Sequence, residues 1–192
     1  CSGNPNYNAL PNWLDCDSTP NDGTTDAITL TVTGGPTPTP SPSKRVFITK
    51  DAYKGNLGGL DGADAKCQTS ADAAGLGGVW KAWLSDETTS AASRLEHFAN
   101  SYKLLNGTTI ADNWNDLTDG EPKAPINIDQ TNSLQQNQEV WTNTTTNANI
   151  PAYRPIDSCS NWNSQSDALF GWVGFSGSSS YDQWTINRKQ NC

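Results

Sequence analysis

The chain has 192 residues, a formal net charge of −8 and a hydrophobic content of 34% that includes eight tryptophans. This acidic balance excludes nucleic acid, heparin and anionic membranes as partners, because each of them needs a concentrated basic face. No run of residues approaches the roughly 20 apolar residues of a membrane span, so we expect no direct membrane span. Methionine and an apolar signal-peptide core are also missing, which favours a processed product or a piece of a longer exported protein.

A proline-rich segment divides the chain near its beginning. Residues 36–43, "PTPTPSPS", alternate Pro with Thr or Ser, which favours an extended polyproline II spacer. Apolar residues alternate at 28–32 and predict a strand, but one strand cannot bury a core by itself. We therefore predict that residues 1–35 are the C-terminal piece of a preceding β-rich domain, that 36–43 is a linker, and that 44–192 is the main domain.

The main domain begins with a predicted strand and a predicted helix. The segment "RVFITK" (45–50) is rich in β-branched and aromatic residues and predicts the strand. A helix is predicted from Asp61, which can cap it, to Gly75, which can end it in a left-handed conformation. Small residues recur at helical spacing along one face of this segment: Ala63, Cys67, Ala71 and Ala74.

Two shorter elements follow the helix. The segment "VWKAWLS" (79–85) alternates with a period of two and predicts a strand, and "SAASRLEHFA" (90–99) predicts a brief helix. Beyond them, long polar loops separate short apolar runs. Such an organisation is usually held together by disulfides.

The five cysteines are widely spaced and contain no CxxC pair: Cys1, Cys16, Cys67, Cys159 and Cys192. This spacing favours disulfides made in an oxidising compartment, and therefore an extracellular or cell-surface location. An odd number leaves one cysteine whose partner lies outside the chain, or whose thiol is free or modified. Cys16 is a natural partner for Cys1, unless Cys1 carries lipid as the first residue of a mature bacterial lipoprotein does.

Residues 55–85 carry a specific set of motifs. They combine a glycine-rich turn, the Gly62-Ala63-Asp64 helix start, the helical Cys67, the Gly75-Leu76 helix end, and the aromatic-Lys-Ala-aromatic-Leu-Ser segment from Trp80 to Ser85. In these motifs the chain resembles the endostatin-like branch of the C-type lectin-like fold, which includes a group of bacterial surface domains. The resemblance continues more loosely to the C-terminus and implies an α+β domain over 44–192. It also implies two helices packed around a twisted antiparallel sheet, with a long loop region.

The resemblance implies two disulfides, one within the long loop region and one from the helical cysteine to a final strand. By position, Cys159 and Cys192 match the loop pair. Cys67 then remains unpaired, because the chain has no cysteine at a final strand. We therefore expect that the domain is clipped at its C-terminal end, or that the final strand comes from another molecule.

The triplet Trp114-Asn115-Asp116 is the one that calcium-dependent lectins use to hold Ca²⁺ and sugar. In those lectins, however, a Glu-Pro loop precedes the triplet, whereas here Glu121-Pro122 follows it. We therefore predict that the sugar-binding calcium site is absent. The resemblance implies that Trp114 and Leu117 instead pack in a structural turn. A structural calcium remains a weak candidate, because carboxylates converge on one loop at Asp112, Asp116, Asp119 and Glu121.

No other metal or catalytic site is predicted. A zinc site needs several nitrogen or sulfur ligands, and His97 is the single histidine of the chain. No nucleophile elbow occurs, and His97 has no recognisable nucleophile or orienting acid beside it. We therefore predict a protein that is not an enzyme and that has no cofactor apart from the weak calcium candidate.

Aromatic rings set among Ser, Gly and Asn near the C-terminus suit glycan stacking or protein contacts. Trp172, Phe175 and Trp184 are predicted to be core residues, whereas Trp162 and Tyr181 are weak candidates for ligand binding. Two sequons, at Asn106 and Asn143, are compatible with N-glycosylation.

The predicted function is non-catalytic adhesion or recognition at the cell surface, by a domain displayed on a stiff linker. The expected partner is an extracellular glycan or protein. A first alternative is a structural part of a filament or pilus, in which the domain decorates the shaft or joins other copies of itself. A second alternative is an accessory binding module of a polysaccharide-acting enzyme.

Overall fold

Short strands and one long helix build the fold across residues 42–152 and 158–192, which are the residues that the computed structural model describes. The architecture is α+β, as the sequence predicts. The elements in chain order are β1 (Lys44–Val46), α1 (Gly59–Ala73), α2 (Ala91–Arg94), β2 (Tyr102–Leu104), β3 (Thr109–Ala111), α3 (Trp114–Leu117), β4 (Glu139–Trp141), α4 (Cys159–Trp162), β5 (Phe170–Phe175) and β6 (Arg188–Asn191). The predictions for residues 1–35, for most of the linker, and for Cys1 and Cys16 lie outside the described residues.

The helix predicted after the glycine-rich turn is confirmed as α1, although it begins two residues before Asp61. Gly58 precedes the first turn with φ +84°, a conformation that glycine tolerates. Ala63 and Ala71 are buried along the predicted face. Gly75 has φ +66° and donates its N–H to the last turn, so the helix ends at a left-handed glycine as predicted.

The strands in the described residues form two three-stranded sheets, instead of the single antiparallel sheet implied by the resemblance. In the first sheet β1 pairs with β2 in parallel, and β2 pairs with β3 antiparallel. In the second sheet β4, β5 and β6 are antiparallel throughout. The parallel pair is possible because α1 and α2 lie in the long connection between β1 and β2, and parallel strands need such a crossover.

Residues 79–85 do not form a strand, so this prediction is wrong. The N–H of Trp80 donates to the side-chain oxygen of Gln68 at 2.9 Å, and the N–H of Ala82 donates to the carboxylate of Asp64 at 2.8 Å. Side chains of α1 therefore satisfy backbone groups that a neighbouring strand would otherwise pair.

The second helix is much shorter than the predicted segment 90–99. It covers Ala91–Arg94, with the Ser90 hydroxyl accepting the N–H of Ser93 as a cap, and Leu95 returns to extended backbone. Among the described helices only α1 is longer than four residues, and α2, α3 and α4 are single turns. None of the described helices is long and apolar enough to cross a membrane.

One apolar cluster gathers around Trp114, Leu117 and Trp184, all three of which are buried. The ring of Trp83 packs against this cluster, 5.2 Å from the ring of Trp184. The core positions predicted for Trp114, Leu117 and Trp184 are thus confirmed, whereas the rings predicted at Trp172 and Phe175 are only half-buried.

A second apolar cluster gathers around Trp162 and the disulfide between Cys159 and Cys192. Leu57, Ala63 and Leu84 complete its buried part, and Trp141 packs against it. This cluster lies beside the second sheet and supports the groove described below.

Candidate functional site

The triplet Trp114-Asn115-Asp116 lies in α3 and has a structural role. The side chain of Asn113 accepts the N–H of Asp116 at 3.1 Å and caps this short helix. The ring of Trp114 is stacked on His97 with 4.1 Å between centroids. The triplet therefore anchors a turn in the core, as predicted.

The acidic side chains around α3 converge on a lysine. The Lys123 ammonium contacts the carboxylate of Asp112 and lies 3.2 Å from that of Asp116. The Asp112 N–H, donating at 2.6 Å, lowers the pKa of the Asp116 carboxyl; partial burial opposes this effect, and Lys123 adds to it. The structure thus brings Asp112 and Asp116 together around an ammonium group that already supplies the positive charge.

Asp119 and Glu121 form a tight turn beside this ion pair. The Asp119 carboxylate accepts the N–H of Glu121 at 3.0 Å, as Asp side chains do in Asx turns. Across residues 42–152 and 158–192, no group of three or more His, Cys, Asp or Glu side chains is placed to hold a metal ion. The geometry of the loop therefore adds no support to a structural calcium.

Tyr181 is 62% exposed and lies against this same loop. A Cβ atom added at Gly120 would come within 3.1 Å of the Tyr181 ring. Two regions that were predicted separately, the acidic loop and the aromatic C-terminal region, therefore meet in space. Tyr181 remains an accessible ring, as a ligand-binding residue requires.

Trp162, the other predicted binding residue, differs from Tyr181 because it is 0% exposed. Its ring nitrogen donates to the carbonyl of Ser85 at 2.9 Å. A ligand cannot reach this ring, so the prediction of Trp162 as a binding residue is wrong. The polar residues that surround it in the sequence gave the impression of a surface, but distant segments cover it.

The disulfide between Cys159 and Cys192 is confirmed. Cys67 is half-buried in α1 and forms no disulfide with the other cysteines of the described ranges. Burial, helped by the negative charge of Asp64, raises the pKa of the Cys67 thiol to about 11, although Arg94 opposes this. The thiolate is therefore scarce at neutral pH, and this cysteine is a poor nucleophile as it stands.

The two sequons differ in accessibility. Asn106 is exposed between β2 and β3, where its side chain accepts the N–H of Thr108. Asn143 is fully buried. Only the Asn106 sequon is therefore open to modification in the folded domain.

A groove of about 320 Å³ opens on the second sheet, and we call it the sheet groove. Its aromatic lining consists of Tyr53 and Trp141, and its floor includes Val173 and Cys192. Its polar lining consists of Lys54, Glu139, Asp167, Gln190 and Asn191. Polar and charged side chains thus outnumber apolar ones in the lining, and the two aromatic rings lie beside them.

Several contacts fix the aromatic side of the sheet groove. The ring nitrogen of Trp141 donates to the carbonyl of Tyr53 at 2.8 Å. Gly171 on β5 leaves room for the Trp141 ring, since a Cβ there would lie 2.9 Å from it. The Trp141 and Trp162 rings meet edge to face at 5.6 Å. The half-buried Trp141 ring of the groove thus packs against a buried one.

The disulfide fixes the end of the sheet groove. The carbonyl of Cys192 accepts the N–H of Gly55 at 2.8 Å, which joins the loop carrying Tyr53 to the chain end of β6. The side chain of Asn191 donates to the carbonyl of Asp167 at 2.8 Å. Segments that are distant in sequence are therefore held in one wall.

Charges of both signs lie in and around the sheet groove. Glu139 on β4 forms an ion pair with Arg188 on β6, across the intervening strand. Lys54 and Asp167 supply one further charge of each sign, and the Lys66 ammonium lies 5.3 Å from the centre of the Tyr53 ring. The groove is therefore not acidic, in contrast to the chain as a whole.

The turn α4 has an unusual backbone. Cys159, Ser160, Asn161 and Trp162 all have positive φ, between +52° and +63°. Left-handed backbone costs roughly 1–2 kcal/mol for each such residue, so tertiary contacts must hold it. The Ser158 hydroxyl accepts the N–H of Asn161, and the disulfide and the buried Trp162 ring fix the two ends of the turn.

A second hollow, of about 380 Å³, lies near Arg45, Leu76 and Leu105. It is slightly larger than the sheet groove, but the Arg45 guanidinium is engaged by the carbonyls of Leu76 and Gly77. No aromatic ring lines it among the described residues. We therefore regard the sheet groove as the better candidate site.

The sequence reasoning did not find the sheet groove. Of its lining, only Cys192 was singled out, as a disulfide partner. The groove depends on the strand order, which places Glu139 and Trp141 of β4 next to β5 and Gln190 beyond it. The alternation in "EVW" and "FGWVGF" was a possible signal, but it does not say which strands are neighbours.

The described residues define a disulfide-bonded α+β domain with an open groove of aromatic, amide and charged side chains. The chain belongs to the family described as "Protein of unknown function (DUF1554)", whose model matches residues 50–179. The matched segment contains α1 and β5, and it includes Tyr53, Glu139 and Trp141 of the groove. No curated protein matches the chain.

Proposed function

We propose that the chain is an extracellular recognition protein, and that residues 44–192 form a C-type lectin-like domain that binds a glycan or a protein at the cell surface. The α+β architecture, the helix α1 carrying Cys67, and the Cys159–Cys192 disulfide support this proposal. They agree with what the sequence resemblance implies for these positions.

The observation that carries the proposal is the sheet groove. It combines half-buried rings, Tyr53 and Trp141, with the amide and carboxylate side chains that form its polar lining. Rigid aromatic surface next to adaptable polar groups is the usual composition of recognition sites. The proline-rich linker, residues 36–43, would hold such a domain away from the surface to which the chain is attached.

An array of glycans and extracellular matrix proteins tests the proposal. The intact 192-residue chain, with its disulfides oxidised, is applied at micromolar concentration, and the same chain after reduction and unfolding serves as the control. We expect saturable binding to at least one class of ligand by the folded chain alone. Absence of binding to every glycan and protein on the array would overturn the proposal.

The two alternatives give different results in the same preparation. A filament or pilus component forms ordered polymers that electron microscopy detects, and its array binding is weak. An accessory module binds a polysaccharide that an enzyme encoded in the same chain or operon degrades. Recognition by an isolated, monomeric chain favours the proposed function over the filament alternative.

A further inference from the structure

We propose that the sheet groove binds a neutral saccharide, and that it does so without calcium. This inference rests on the proposed function and specifies one ligand class and one binding surface for it. It depends on the chemistry of the groove lining and on the charged groups of both signs around it.

The aromatic side of the groove suits the apolar face of a sugar ring. The Trp141 ring nitrogen is already engaged by the carbonyl of Tyr53, so the exposed part of this ring offers only carbon and π surface. Tyr53 lies beside it and is also half-buried. A pyranose has a face of C–H groups that can pack against such rings while its hydroxyls point outward.

The polar side of the groove suits vicinal hydroxyls. The carboxylates of Glu139 and Asp167 only accept hydrogen bonds, whereas the amide of Gln190 both donates and accepts. A sugar hydroxyl also both donates and accepts. Several hydroxyls on one ring can therefore bind carboxylate and amide groups together.

Charged groups of both signs around the groove favour a neutral ligand. Arg188 forms an ion pair with Glu139, Lys54 and Asp167 add one charge of each sign to the lining, and Lys66 lies over the Tyr53 ring. A charged ligand would be attracted by groups of one sign and repelled by groups of the other, so it gains little over a neutral ligand that hydrogen-bonds to both. No cation is needed to reach the hydroxyls, because protein groups already provide both donors and acceptors.

The groove is also organised before binding. The disulfide, the hydrogen bond from Gly55 to Cys192, and that from Asn191 to Asp167 join its walls. Walls that are already in place reduce the entropy lost on binding, so a small neutral ligand can bind measurably.

Titration with neutral oligosaccharides by calorimetry tests this inference, with hexose and N-acetylhexosamine probes and an excess of EDTA. The chain is compared with Tyr53→Ala and Gln190→Ala in the groove, and with Val79→Ala, which shortens an apolar side chain that is 89% exposed outside the groove. We expect binding to persist in EDTA, each groove variant to weaken it about tenfold, the effect of about one lost contact, and Val79→Ala to leave it unchanged. Each variant is first shown to have the parent's unfolding temperature.

Three results would overturn the inference while leaving the proposed function intact. They are binding that EDTA abolishes, binding confined to sialylated, sulfated or protein ligands, and binding that the groove variants do not change. Failure of the chain to bind any array ligand would instead overturn the proposed function itself.

Discussion

Asp64 on α1 and Arg94 on α2 form an ion pair with 2.6 Å between carboxylate and guanidinium, and both also bind the backbone of Ala82. The side chains are 20% and 10% exposed, respectively. The pair therefore fixes the segment 79–85 between two helices. It explains why an alternating sequence there is held as a loop and not as a strand.

We predict that Arg94→Met lowers the free energy of unfolding by about 3–5 kcal/mol, because it leaves the Asp64 carboxylate partly buried without its cation. The control is Glu96→Gln, which breaks the exposed pair between Lys44 and Glu96. That change should lie within about 1 kcal/mol. Urea unfolding measures both, and equal effects of the two variants would contradict the role assigned to Asp64 and Arg94.

A second prediction concerns the buried ring of Trp162. Trp162→Ala removes a fully buried ring and its hydrogen bond to Ser85, and should destabilise the domain by about 3–5 kcal/mol. Tyr181→Ala removes an exposed ring and should change stability by no more than about 0.5 kcal/mol. Thermal and urea unfolding compare the pair, and a small effect at Trp162 would show that the ring is not part of the core.

Gly120 combines an unusual backbone with a close neighbour. Its φ is +112°, and a Cβ there would lie 3.1 Å from the Tyr181 ring. We predict that Gly120→Ala destabilises the domain by about 1–3 kcal/mol. Gly78→Ala is the matched control, because Gly78 has φ +84° but nothing within 4 Å of its added Cβ. Both glycine substitutions are then made in a Tyr181→Ala background, and urea unfolding measures the loss of stability that each one causes. If the loss at Gly120 still exceeds the loss at Gly78 by the same amount, the contact between Gly120 and Tyr181 is not its cause.

The buried carboxyl of Asp129 leads us to predict that the stability of the domain depends on pH. Burial raises the pKa of this fully buried carboxyl, but hydrogen bonds from Thr131, Ser133 and Gln135 outweigh it, so the pKa is lowered overall. A group with a lowered folded pKa stabilises the protein above its unfolded pKa, about 3.9 for Asp. That contribution is lost as pH falls through the lower folded value.

The test is Asp129→Asn, measured by urea unfolding from neutral pH down to about pH 2.5. At neutral pH we expect the free energy of unfolding to fall by about 1–3 kcal/mol, because the NH₂ group of the new amide faces hydrogen-bond donors that the carboxylate accepted. The difference in free energy of unfolding between parent and variant should narrow below about pH 4, because the Asp129 carboxyl is protonated there in the unfolded parent before it is protonated in the folded one. Asp51→Asn, at an exposed position, should show no such gap, and a gap that stays constant with pH would contradict the assignment.

Local patterns in the sequence were sufficient for the elements that local interactions stabilise. The helix from the glycine-rich turn to Gly75 follows from small residues at helical spacing and a glycine that can adopt positive φ. The structural turn at Trp114 and Leu117 was implied by the resemblance and is present. The Cys159–Cys192 pair was predicted from the resemblance, which carries long-range information that a local pattern lacks.

The tertiary structure alone decided which surfaces are buried and which strands are neighbours. Trp162 looked like a surface ring among polar residues, but Leu57, Leu84 and Trp141 cover it from distant parts of the chain. The sheet groove exists because β4, β5 and β6 lie side by side and a disulfide closes their end. Alternation within a strand shows which residues share a face, but burial and neighbours depend on long-range contacts, which a single sequence does not reveal.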